Sequence, residues 1–174
     1  SYFKSYIIII NIKILLVNNN WINLMVDING IAHIALSVKN ISKSKDFYNE
    51  LLPFFGLTLV HEGDKSIYHV GARTGIMIQE IDENNKSEFF NQNNIGLHHF
   101  CFRARKKEDI DLIFKKLKKM KAVIIRGPKE GNWAPGYYYI LFEDPDGIRL
   151  EVNFVPGAGV LDKNKKFNSN MDYL

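Results

Sequence analysis

The feature that most limits how this 174-residue chain can fold is an internal repeat. Laying His99 over His33 aligns His33-Ile-Ala-Leu-Ser-Val-Lys with His99-Phe-Cys-Phe-Arg-Ala-Arg, and each stretch alternates like a half-buried strand. A helical pattern follows in both copies. Ser44, Phe47, Tyr48, Leu51 and Leu52 recur at helical spacing until Pro53 and Gly56; Ile110, Ile113, Phe114 and Leu117 do the same. Glu108 and Asp109 open the second helix and lysines close it, as its dipole favours. Three strand-like runs complete each copy, at residues 57–61, 66–71 and 75–81, then at 122–126, 137–142 and 148–154. The second copy carries six additional residues, assigned to a Gly- and Pro-containing loop at 127–136. Two β-α-β-β-β units, over about 28–81 and 96–156, are joined by the polar segment 82–94, which makes the fold class α+β.

Strand parity turns the repeat into a site. Ile34, Leu36 and Val38 form the apolar set of the first strand and should meet the helix, leaving His33, Ala35 and Ser37 on the other face. In the second copy Phe100, Phe102 and Ala104 turn inward, leaving His99, Cys101 and Arg103. In the last strand Ile148, Leu150 and Val152 turn inward, leaving Arg149, Glu151 and Asn153. Two imidazoles and a carboxylate on one side of the sheet suit a divalent first-row metal and leave coordination positions open for water or substrate. Gln79 is the fourth equivalent position, with Glu80 the fallback if a bulge shifts the register. His98 points to the wrong face by parity and reads as a structural or hydrogen-bonding residue. His61 has no clear partner, and His69 on a central strand is a weaker candidate for proton transfer.

Glu151 on an otherwise apolar strand is expensive to bury unless a cation offsets the cost; a salt bridge to Arg149 or Arg103 is the plainer alternative. Arg103 and Arg149 share the presumed cavity face and either hold an anionic substrate group or pack against a neighbouring carboxylate. Trp133 and Tyr137 to Tyr139 flank the 127–136 loop. Trp133 and Tyr138 are taken as substrate contacts if that loop closes as a lid, against the plainer reading of an aromatic hairpin packed on the sheet. The turn Asp144 to Gly147 is assigned no chemistry.

Composition bounds the rest. A net charge of +4 and a pI near 9.0 would admit nucleic acid, but the lysines from Lys106 to Lys121 concentrate on the second helix, whose other face is apolar. They read as a solvated face, and no nucleic-acid partner is expected. The single Cys101 excludes an internal disulfide and a cysteine-cluster zinc site, so a reducing, cytoplasmic setting is expected. The apolar run Tyr6 to Val17 is too short to span a bilayer and lacks a cleavage site, so no membrane partner is expected either. Residues 1–24 are read as an extension, 25–156 as the domain and 157–174 as a tail.

The residues Ala32-His33-Ile34-Ala35-Leu36, Gly96-Leu97-His98-His99-Phe100 and Phe142 to Glu151 (FEDPDGIRLE), in this order within a repeat, resemble the vicinal oxygen chelate superfamily. That group includes glyoxalase I, extradiol dioxygenases, fosfomycin-resistance proteins and methylmalonyl-CoA epimerase. The resemblance, over about Ile28 to Pro156, implies paired βαβββ modules that curl a mixed sheet around a metal cavity. It implies one divalent ion (Zn, Ni, Co, Mn or Fe) held at His33, Gln79, His99 and Glu151, with Glu151 also the candidate base. The His, Gln, His, Glu set resembles that of the epimerase, although Asp144-Pro145-Asp146-Gly147 departs from the usual epimerase turn. Read without Gln79, the set equally resembles the dioxygenase triad. The implied function is a metal-dependent small-molecule lyase or isomerase of glyoxalase type, acting as a homodimer. The alternatives are an iron-dependent extradiol-type dioxygenase and a non-catalytic binding protein of the bleomycin-resistance kind.

Overall fold

The computed structural model describes residues 27–85 and 90–162, and divides the chain after Ala32. In the unit of residues 1–32 the described stretch 27–32 is irregular and exposed; the apolar run at Tyr6 to Val17 lies outside the described residues. The second unit begins at His33 and holds both repeats. The first is β1 (His33–Val38), α1 (Ile41–Phe54), β2 (Thr58–Glu62), β3 (Ser66–Gly71) and β4 (Thr74–Glu80). The second is β5 (Phe100–Arg103), α2 (Lys107–Lys119), β6 (Val123–Glu130), β7 (Tyr138–Glu143) and β8 (Arg149–Phe154).

Each repeat forms its own four-stranded mixed sheet, ordered β1-β4-β3-β2 and β5-β8-β7-β6. The outer pair in each (β1 with β4, β5 with β8) is parallel because a helix crosses over between them; the remaining neighbours are antiparallel. The β-α-β-β-β expectation therefore holds in both copies. One boundary moves. The segment around Gly127 and Pro128, read as loop, belongs to β6, which pairs with β7 through two register shifts, so the loop proper starts at Gly131.

The helix-facing residues merge into a single core: Leu36 and Val38 of β1, Tyr48 and Leu51 of α1, Ile76 and Ile78 of β4, Ile110 and Leu117 of α2, Ile140 and Phe142 of β7, Leu150 and Val152 of β8. The halves are also tied by polar contacts. The Tyr48 hydroxyl donates to Asp144 Oδ2 at 2.8 Å, the Lys39 amide donates to Asp146 Oδ2 at 2.7 Å, and Lys116 Nζ lies 2.8 Å from Glu50. Lys107 pairs with Glu130 and sits over the Tyr138 ring, so with Lys116 on Glu50 two of the α2 lysines are engaged in ion pairs. No helix of the described residues is long and apolar enough to cross a membrane.

His69 is the anomaly in this core. It pairs with Ile76 on the helix side of β3, is fully buried, and neither ring nitrogen has a hydrogen-bond partner among the described residues. It therefore does not reach the open face of its sheet. Burial lowers its pKa below the ordinary 6.5 against the pull of Glu62. The native ring stays neutral where the unfolded ring takes up a proton, so stability is lost as pH falls below about 6.5. Replacing His69 with Met should raise stability by about 1 kcal/mol at pH 7 by removing unsatisfied polar atoms, and should remove part of the acid sensitivity. Urea denaturation of both proteins at pH 7 and 5 checks this.

Candidate metal and substrate site

Strand register assembles the site on the second sheet. Cys101 stands opposite Glu151 and Arg103 opposite Asn153, while β7 sets Leu141 beside Glu151 and Tyr139 beside Asn153. Phe100, Ile140, Phe142, Leu150 and Val152 belong to the core, so these alternate residues share the opposite face. Glu151 is the unusual member, a carboxylate 2% exposed with no lysine or arginine ion pair among the described residues. Its Oε1 accepts from the Tyr137 hydroxyl and lies 3.5 Å from Cys101 Sγ; its Oε2 faces His99 Nε2 at 3.5 Å. Burial raises the Glu151 pKa, opposed by the bonds from Tyr137 and Cys101 and by the charge of Arg126. Cys101 is exposed overall, yet desolvation of its sulfur beside that carboxylate pushes the thiol well above its usual range. It is a protonated neighbour at neutral pH and no nucleophile.

Burial, with the charges of His98 and Arg149, lowers the His99 pKa, so its ring is neutral near pH 7. His98 Nδ1 and His99 Nδ1 lie 2.7 Å apart and must share one proton. When His99 supplies it, Nε2 keeps a lone pair beside the Glu151 carboxylate, the tautomer a metal ligand requires. Adjacent donors about 2.0–2.2 Å from one ion stand roughly 2.8–3.6 Å apart, the value falling as the coordination number rises. The observed 3.5 Å lies within that range, so His99 and Glu151 fit as two donors of one divalent ion. Among the described residues no three His, Cys, Asp or Glu side chains cluster as a complete metal group.

The first sheet carries the other predicted ligands on its corresponding face. His33 is exposed and pairs with Gly75, while Ser37 pairs with Gln79. Tyr68 lies over Gly75 so closely that a Cβ there would displace its phenol ring. Gln79 is exposed on this face, whereas Glu80 turns to the helix side and accepts from the Ile41 amide at the start of α1, 2.8 Å away. Parity had favoured Gln79 over Glu80 for the same reason.

A family model for the Glyoxalase/Bleomycin resistance protein/Dioxygenase superfamily matches residues 30–152. The chain belongs to this superfamily. It is 26% identical over 121 residues to the uncharacterized protein YqjT of Bacillus subtilis, covering 69% of this chain and 94% of that protein. A candidate glyoxalase of Bacillus halodurans superposes with a TM-score of 0.67 at 23% identity, over 73% of this chain and 96% of that one. Lactoylglutathione lyase of Agrobacterium tumefaciens gives 0.54 at 22% over 72% and 93%. The fosfomycin resistance protein FosX of Listeria monocytogenes gives 0.55 at 21% over 74% and 95%. At these identities the superpositions establish a shared glyoxalase fold.

Within that fold, the remaining predicted residues fall in different places. Arg149 lies 3.5 Å from Glu143 and, with the Gln92 amide oriented to accept, donates to its oxygen at 2.9 and 3.3 Å. Arg103 is exposed at the end of β5, near enough to influence Cys101. Trp133 is buried against Tyr137 and Tyr139, with ring centroids 4.8 Å away in both cases, so it forms part of a packed aromatic cluster with Leu141. Tyr138 departs from the expectation. Its hydroxyl donates to Asp111 of α2 at 2.9 Å, on the helix side of β7, and its neighbour Tyr137 reaches Glu151 instead. The run Tyr137-Tyr138-Tyr139-Ile140-Leu141-Phe142 is apolar on both faces, so parity had no contrast to read there. Only the pairing of Leu141 with Glu151 fixes which tyrosines face the site.

Proposed function

We propose that this chain is a metal-dependent small-molecule enzyme of glyoxalase type, performing isomerase or lyase chemistry by proton transfer beside a carbonyl. His99 and Glu151 of one chain, with His33 and Gln79 of a second copy, hold one divalent ion. The observation that carries this reading is the buried Glu151 carboxylate with its Oε2 3.5 Å from a neutral imidazole and no lysine or arginine ion pair among the described residues. A buried charge in that state is costly, and a cation between the two donors relieves the cost. Bound there, a divalent ion would polarise a substrate carbonyl and stabilise negative charge developing on its oxygen.

The chain's own groups supply the rest. Glu151 is the proton acceptor; burial raises its pKa, opposed by the hydrogen bonds from Tyr137 and Cys101 and by the charge of Arg126. Arg126, Arg103 and Arg149 give this face a positive field, which favours a substrate bearing a carboxylate or another small oxyanion. The second copy is invoked because the described residues of one chain bring two donors together, while His33 stands exposed on the other sheet.

Elemental analysis of metal-replete protein beside His33→Ala and Glu151→Ala variants tests this. Both variants should lose most bound metal, and full stoichiometry in either one sinks the assignment. Iron as the bound metal, with oxygen uptake on catechol-like substrates, would instead select the dioxygenase reading.

A further inference from the structure

Tyr137 belongs to neither the ligand set nor the substrate contacts named so far, yet it makes the most direct contact with Glu151. Its hydroxyl donates to Oε1 and accepts from Asn153 Nδ2 at 2.8 Å, so Asn153, Tyr137 and Glu151 form a directed chain. Cys101 Sγ faces the same oxygen. The Tyr137 and Cys101 contacts therefore both fall on Oε1, while Oε2 faces His99. A carboxylate on a flexible stem has two equivalent oxygens and several rotamers; fixing one oxygen selects one rotamer and one free oxygen.

Tyr137 is itself held by the loop before β7. Its amide donates to the Ala134 carbonyl at 3.0 Å and its carbonyl accepts from the Gly131 amide at 2.9 Å. Its ring packs on Trp133 and Tyr139, and a Cβ on Gly131 would drive into the Trp133 ring at 2.5 Å and the Tyr137 ring at 3.0 Å. The loop thus delivers the hydroxyl to a defined point.

We infer that Tyr137 is a positioning residue that commits Glu151 to bind its cation through Oε2 alone, with Asn153 setting the direction of the Tyr137 hydroxyl and the 131–137 loop holding the ring. This rests on the metal reading proposed above. The test is the affinity of the full-length protein for Zn²⁺, measured by competition with a chromogenic chelator, alongside the melting temperature of the metal-free protein. Tyr137→Phe should weaken Zn²⁺ binding by roughly 10–100-fold, the usual loss when the outer partner of a ligand is removed. Asn153→Ala should weaken it in the same direction. Tyr139→Phe, in the same aromatic cluster, should keep affinity within about threefold of wild type because the Tyr137 bond survives. Unchanged affinity in Tyr137→Phe overturns the inference and leaves the metal reading standing. Equal losses in Tyr137→Phe and Tyr139→Phe also overturn it, because packing and not the hydroxyl would then be responsible. Absence of Zn²⁺ binding in the wild type overturns the metal reading and this inference together.

Discussion

Mixing unfolded His33→Ala and Glu151→Ala proteins and refolding them together is expected to restore metal binding that neither variant shows alone. If each centre takes His33 from one chain and His99 with Glu151 from another, a mixed dimer carries one doubly damaged centre and one intact centre. Random reassortment makes half of the dimers mixed, so recovery should approach about a quarter of the wild-type metal content. The expectation comes from the division of donors in the structure. Glu151 and His99 face each other at 3.5 Å on the second sheet, while His33 lies exposed on β1 of the first. No recovery, with both parents metal-free, would place all ligands within one chain. Metal content before and after mixing, measured on the same preparations, decides between these outcomes.

Replacing Asp144 with Ala should cost about 3–5 kcal/mol of folding stability. Asp144 is 4% exposed and accepts three hydrogen bonds: from Tyr48 at 2.8 Å, from the Asp146 amide at 2.9 Å and from the Ile148 amide at 2.8 Å. The first joins the two repeats; the others close the turn between β7 and β8. Their loss would leave a buried phenol and two amides unsatisfied. The same residue imposes a pH dependence. Burial raises its carboxyl from the ordinary 3.8 to about 6, against the opposing pull of its hydrogen bonds. Between those values the native state binds a proton that the unfolded chain does not, so stability rises as pH falls through about 6 toward 4. The gain is at most about 3 kcal/mol. His69 acts in the opposite direction over much of that window, so the measurement belongs in a His69→Met background. There, urea denaturation at pH 7 and 4.5 should show the gain in protein with Asp144 and its absence with Asp144→Asn.

Where one face of a strand is apolar and the other polar, sequence period and side-chain direction are the same information. That is why β1, β5 and β8 were readable: Leu36, Phe100 and Leu150 are in the core, and Cys101 and Glu151 meet on the opposite face. It is also why Gln79 could be separated from Glu80, which turns inward to the start of α1. Alternation fails at β7, where every residue from Tyr138 to Phe142, like Tyr137 before it, is apolar or aromatic, and the roles of Tyr137 and Tyr138 emerge only from pairing with β8. It fails again at Gly127 and Pro128, whose composition reads as loop although β6 continues through them with shifted register. His69 shows a third limit, a polar residue placed where the period of β3 demands burial.

By itself, then, the sequence determined the repeat, the β-α-β-β-β order, the two helices and the side of β8 on which Glu151 lies, because these follow from local periodicity and from duplication of one unit. Only the tertiary structure decided that each repeat closes its own sheet, that both share one core, that Tyr137 and Cys101 fall on one oxygen of Glu151, and that His99 takes the other. Those outcomes depend on register and on contacts between residues far apart in the chain, and no local pattern encodes the distance between two strands that have yet to meet.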